Sequence, residues 1–120
     1  SELTSTGSGI DLVPIAGPQA DKLRGTAKFF AVDEIPAGTY KDIGAVKTLA
    51  VGAQWVTSAK IDAALVYEIT KATWSDKTRA VLDAGHAKGK SIRKETALLG
   101  LGIPLHPGAE KFYKELGLIK

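Results

Sequence analysis

The run Gly85-His86-Ala87-Lys88-Gly89-Lys90-Ser91 comes nearest to a chemical motif. A phosphate loop needs Gly, four residues, then Gly-Lys-Ser/Thr, so that backbone N–H groups wrap a phosphate and the lysine reaches it. Here the spacing is one residue short, because position 84 is Ala, and the segment upstream reads as helix rather than buried strand. The run therefore reads as a solvated turn between helices, with a nucleotide-binding enzyme as a rival. Lys88, Lys90, Arg93 and Lys94 form the densest basic cluster. No aromatic residue is interleaved with them, as single-stranded nucleic acid would require, so the cluster reads as a solvated helix end. His86 and His106 are the two histidines. Neither has a second His at ligand spacing, which argues against a zinc site. His106 precedes Pro107 and reads as a cap of the last helix.

Thr57 and Ser58 carry hydroxyls, but no Gly-x-Ser-x-Gly elbow surrounds them. Ser58 reads as a helix N-cap. Gly100-Leu101-Gly102 lacks the third glycine and the preceding strand of a dinucleotide fingerprint. The carboxylates show no catalytic pairing by spacing, and no enzyme is read here. Trp55 lies on the apolar face of the longest strand candidate, as core or as the wall of a ligand site. Trp74 lies late in a helix, where it would pack against a neighbouring element or a missing one. Cysteine is absent, which excludes thiol catalysis, disulfide scaffolds and cysteine-ligated metals.

The elements that would position these residues follow from apolar spacing and breakers. Ile10 to Ile15 reads as an edge strand, because Pro14 removes a ladder donor. Pro18 opens a helix to about Arg24 that Gly25 ends. Phe29 to Val32 is extended, and Pro36-Ala37-Gly38 carries turn chemistry. Ala45 to Thr57 is the longest strand candidate, with Leu49, Val51, Ala53 and Trp55 on one face and Gly52 as a bend. Ile61, Leu65, Ile69 and Ala72 mark an amphipathic helix from about Ile61 to the mid-70s, extending as far as Leu82. Ser91 caps a short helix over Ile92 to Leu99, closed by Gly100. Pro107 opens a last helix that Gly117 stops.

The expected class is α/β, with few strands followed by three helices. Two strands separated by a helix would pair in parallel, and such a sheet needs cover on both faces. Two strands are also too few to stand alone. The chain thus reads as part of a larger sheet protein, or as a protomer that completes its sheet with a partner. Its 120 residues, 44% of them hydrophobic, can bury one modest core, and the charged fraction of 24% argues against wholesale disorder. No apolar run approaches the roughly 20 residues of a membrane-spanning helix. The net charge of +3 is small and reads as spread out, a weak reason to expect nucleic acid or an anionic membrane. Residues 1–9 are mostly Ser, Thr and Gly and read as a flexible lead-in or a cloning scar.

Three segments in combination carry a family resemblance. They are Ile35-Pro36-Ala37-Gly38-Thr39-Tyr40; Val46-Lys47-Thr48-Leu49-Ala50-Val51-Gly52-Ala53-Gln54-Trp55-Val56-Thr57-Ser58 with Leu65 to Ala72; and Ile103-Pro104-Leu105-His106-Pro107-Gly108-Ala109-Glu110-Lys111-Phe112-Tyr113. In this order they resemble the C-terminal part of the TAXI solute receptors of TRAP transporters, over about residues 10–118. The resemblance implies a type II periplasmic binding protein fold, with two α/β lobes closing on a ligand by a hinge at crossing strands. It implies an extracytoplasmic, non-enzymatic protein that needs no cofactor and no metal. Its partners would be a small organic solute, a glutamate-like amino acid or dicarboxylate, and the TRAP permease subunits. Members of that family are more than twice this long, so residues 10–120 are expected to be a receptor's closing part, covered by an N-terminal lobe or by a second copy of the chain. Many members also carry His-Pro after the long helix, where this chain has His86-Ala87. Trp55 and Thr57, at the end of the crossing strand, are the expected ligand-binding residues. The alternative function is a small interaction protein that completes its sheet as a homodimer.

Overall fold

The computed structural model describes residues 9–120. The expected lead-in lies outside the described residues, Gly9 excepted. The chain forms α1 (Pro18–Thr26), β1 (Phe30–Ile35), β2 (Val46–Val51), α2 (Ala63–Thr73), α3 (Asp76–Gly85) and α4 (Pro107–Glu115). Short 3₁₀ turns at Ala87–Ser91 and Lys94–Thr96 lie between α3 and α4. The class is mixed α/β, with few strands followed by three α-helices, as expected. The chain divides into two units, one ending at Ala53 and the other spanning Gln54–Lys120.

In the first unit the strands differ from expectation. Residues 10–15 form no strand; their contribution is a single bond from the Ile15 N–H to the Lys47 carbonyl, 3.1 Å. Pro14, beside Ile15, removes one of the donors that further pairing would use. The sheet is instead an antiparallel pair of β1 and β2, with Phe30 opposite Val51 and Ile35 opposite Val46. The turn at Pro36–Thr39 lets the chain double back, so a local antiparallel pairing replaces the expected parallel one. Residues directly opposite share a face. Phe30, Val51, Val32 and Leu49 therefore lie on one face, closed by the pair Glu34 and Lys47, while Ala31, Ala50, Ile35 and Val46 lie on the other. The first face is apolar up to that closing pair, whereas the second carries Asp33 and Thr48 at its centre. Val32 and Val51 are nevertheless exposed. β2 also ends at Val51, short of the expected Thr57, because Gly52 and the residues after it leave the ladder.

In the second unit α2 begins later than the apolar spacing indicates. Asp62, not Ser58, is the N-cap: its side chain accepts from the N–H groups of Ala64 and Leu65, each at 3.0 Å. Ser58 closes a preceding turn, its hydroxyl accepting from the Lys60 N–H at 3.3 Å. The expected long helix is broken at Trp74-Ser75. Ser75 hydrogen-bonds back to the Ala72 carbonyl and caps α3 by accepting from the Thr78 N–H. The helix expected over Ile92–Leu99 is replaced by the 3₁₀ turn Lys94–Thr96.

The second unit's core is the crossing of α2 and α4. Val66, Phe112 and Tyr113 are buried there. Gly108 makes the close approach possible, since a Cβ on it would run into the Ala63 carbonyl and come within 2.7 Å of the Tyr67 nitrogen. Tyr67 packs edge-on to Phe112 with ring centroids 6.0 Å apart, and its hydroxyl donates to Glu115 Oε2 at 2.6 Å. Trp74 Nε1 donates to the Tyr113 hydroxyl at 3.0 Å. His106 fulfils its expected capping role and adds a tie to α2. Its Nδ1 accepts from the Gly108 N–H at 3.2 Å while Nε2 lies 3.1 Å from the Ile61 carbonyl. These two contacts together require the tautomer protonated on Nε2. α4 ends in a Schellman motif: the Leu118 N–H donates to the Tyr113 carbonyl and that of Gly117 to Lys114, with Gly117 at φ +71°.

Replacing Gly108 by Ala is expected to lower stability by about 1–3 kcal/mol in denaturant titration, the usual cost of overpacking against backbone that cannot move. Tyr113→Phe, which removes only the acceptor of Trp74, is expected to cost about 1 kcal/mol in the same measurement.

Candidate functional site

The expected ligand residues lie at the start of the second unit, in a segment without regular structure from Gly52 to Ser58. Gln54 fixes that segment through its side-chain amide, which donates to the Gly100 carbonyl at 2.7 Å. Trp55 is 80% exposed, so it belongs to no core, contrary to the more conservative of its two readings. Thr57 is exposed as well. The two residues stand two apart on an accessible segment whose anchor, Gln54, no spacing pattern revealed.

A cleft in the second unit lies elsewhere. It has a volume of about 180 Å³, sits at the start of α3 and is lined by Trp74, Asp76, Arg79, Arg93, Lys94 and Glu95 among others. Neither Trp55 nor Thr57 lines it. Its floor is built by Arg79, one turn into α3. Arg79 Nε and Nη2 grip both oxygens of Asp83, at 3.0 and 2.7 Å. Nη2 also donates to the Gly89 carbonyl at 2.6 Å, and Nη1 donates to the carbonyl of Ile92. Arg93 reaches the same Asp83 oxygen at 3.3 Å. The hydrogen bond from Arg79 holds the Asp83 carboxyl below its usual range; partial desolvation opposes this, and the charges of Arg79, Arg93 and Lys90 reinforce it.

This network explains why Gly85–Ser91 is not a phosphate loop. The segment leaves α3 and turns back along it as a 3₁₀ turn, with no strand before it and no α-helix directly after it. Gly89 is buried because a Cβ there would fall on the Leu82 carbonyl. His86 caps the turn, its Nδ1 accepting from the Lys88 N–H at 3.1 Å. The glycine thus serves packing rather than a ligand. Arg79 and Asp83 belong to no chemical motif, although their i, i+4 spacing on a helix signals a pair. Arg79 uses all three guanidinium nitrogens internally, so it serves the fold rather than offering free donors to the cleft. Among the described residues no three His, Asp or Glu side chains gather as metal ligands, and no helix is long and apolar enough to cross a membrane.

A mixed α/β chain with four helices and a two-stranded antiparallel sheet fits part of a periplasmic-binding fold, the fold of proteins that hold a solute between lobes. The NMT1-like family matches residues 1–117, and the chain belongs to that family. It is a periplasmic solute-binding, non-enzymatic family related to the TRAP and NMT1 receptors.

A pH dependence follows from Asp83. Its folded pKa lies below the unfolded value, so its contribution to stability is present above the ordinary carboxylate pKa of about 3.9. That contribution is lost as pH falls from there through the lower folded value. Acid titration followed by circular dichroism should show this, and Asp83→Asn should remove the part of the transition it causes.

Proposed function

We propose that this chain is the C-terminal portion of a TAXI-type receptor that captures a small organic solute outside the cytoplasm and hands it to a TRAP permease. The solute class is a glutamate-like amino acid or a dicarboxylate. The observation that supports this most is the distribution of apolar surface on α2, read together with the family. Val66 and Tyr67, with Ala63, face α4, and Val66 is 7% exposed. Leu65 and Ile69, with Ala72, form a second stripe on the same helix, roughly 150° away at 100° per residue, and Ile61, just before the helix, is exposed as well. Leu65 is 54% and Ile69 41% exposed. The stripe by which the sequence marks an amphipathic helix is therefore the uncovered one.

A helix apolar on two sides is built to lie between two layers. In the receptor reading, further chain supplies the second layer, and Trp55 and Thr57 contribute to the wall of the solute cleft. Trp55 offers an aromatic face and Thr57 a hydroxyl that both donates and accepts. Closure would bend the chain at Gly52, where β2 has already ended.

The uncovered stripe also admits a second copy of the chain as its cover. Light scattering separates the two readings: a concentration-independent monomer removes the homodimer, and a stable dimer removes the need for a further lobe. Calorimetry of the intact receptor against amino acids and dicarboxylates is expected to give one saturable heat signal. Thr57→Ala should weaken it by up to about tenfold, the worth of one hydrogen bond. No heat from any member of the panel, with the protein folded, ends the proposal of capture for this solute class.

A further inference from the structure

The chain's excess positive charge is not spread out. Residues 86–96 hold Lys88, Lys90, Arg93 and Lys94 against the single carboxylate of Glu95. The remaining sequence holds twelve basic and twelve acidic residues, so this short segment carries the whole net charge of +3.

The segment is also held in place. The Arg79 guanidinium donates to the carbonyls of Gly89 and Ile92, one on each side of Lys90, and Asp83 locks that guanidinium from the opposite side. Gly89 is buried against Leu82. The charges themselves face solvent. Lys88, Lys90 and Lys94 are exposed and make no ion pair among the described residues. Arg93 alone is partly neutralised, by Asp83. Ile92 and Leu99, apolar and exposed, lie within and just beyond the segment.

We propose that this segment, residues 86–99, is a docking surface for an anionic phospholipid bilayer. Three features favour lipid headgroups over an acidic protein. The free cations are lysines, compact point charges without the planar fork that selects individual carboxylates. They gather within seven residues of sequence, as in a short polybasic segment, where attraction to an anionic surface accumulates per charge rather than per matched contact. Ile92 and Leu99 supply apolar groups that can enter the headgroup layer beside them. The Arg79 clasp removes much of the segment's freedom beforehand, so less order has to be imposed on binding. The proposal does not rest on the receptor reading, since it requires neither a solute nor a second lobe.

The test is sedimentation of the full chain with vesicles of phosphatidylcholine alone and of phosphatidylcholine mixed with phosphatidylglycerol. Binding is expected only to the anionic vesicles, and it should weaken as salt shortens the Debye length below about 10 Å. Each lysine near the surface is worth about fivefold in affinity, so Lys88→Ala with Lys90→Ala should weaken binding by about 25-fold. Lys22→Ala with Lys28→Ala should leave it unchanged, with circular dichroism confirming that both variants fold. Equal binding to neutral vesicles, or unchanged binding by the Lys88/Lys90 variant, overturns the proposal. Binding to soluble polyglutamate with no binding to anionic vesicles also overturns it, in favour of an acidic protein partner.

Discussion

The fold of the second unit depends on one constraint: α2 is apolar on two sides and the described chain covers one of them. The covered side is well made. Gly108 lets α4 approach the backbone of α2, Val66 and Phe112 fill the crossing, and three side-chain bonds fasten it at separate points. These are Tyr67 to Glu115, Trp74 to Tyr113, and His106 to Ile61. Polar ties at an aromatic crossing add specificity to burial, because each partner is satisfied only in this register. The other side has Leu65 and Ile69 in water. Burying a Leu or Ile fully is worth roughly 1.5–3 kcal/mol each, so a stripe of this kind is a considerable free energy awaiting a partner.

A related condition holds in the first unit, where Val32 and Val51, on the apolar face of the two-stranded sheet, stay exposed. Each unit thus shows locally consistent structure with a surface that calls for more protein. That is how one part of a two-lobed solute receptor is expected to look, and the chain belongs to a solute-binding family. A receptor changes no bonds in its solute, so it needs a hinge, a wall and a few hydrogen-bonding groups rather than a tuned nucleophile.

Much of this was legible in the residues, and the failures have physical causes. Pro18, Pro107 and Gly117 marked helix ends correctly because their effects are local: a fixed φ, a missing donor, a positive φ. The apolar stripe on α2 is legible as a stripe, but its cover is not, because periodicity finds a face without telling what covers it. Ser58 was taken as the cap because it precedes the apolar spacing, yet Asp62 is nearer to the first turn and a better acceptor. The strand expected to reach Thr57 ended at Val51, since a run of apolar residues needs a neighbouring strand to remain extended. The ion network joins the Arg79–Asp83 pair, four positions apart, to Arg93, which is 10 and 14 positions further on, and only the folded chain shows that two backbone carbonyls complete it.

The account's central claim is that the Leu65–Ile69 stripe is an interior surface of the functional protein. Because the chain has no cysteine, a Leu65→Cys thiol can be followed alone. Its rate of labelling should be fast in the isolated chain, while a Val66→Cys thiol, facing α4, stays protected. In cells producing the intact receptor the Leu65→Cys thiol should become as protected as that at 66. A thiol at 65 that labels as fast in the intact receptor as in the isolated chain would contradict the claim.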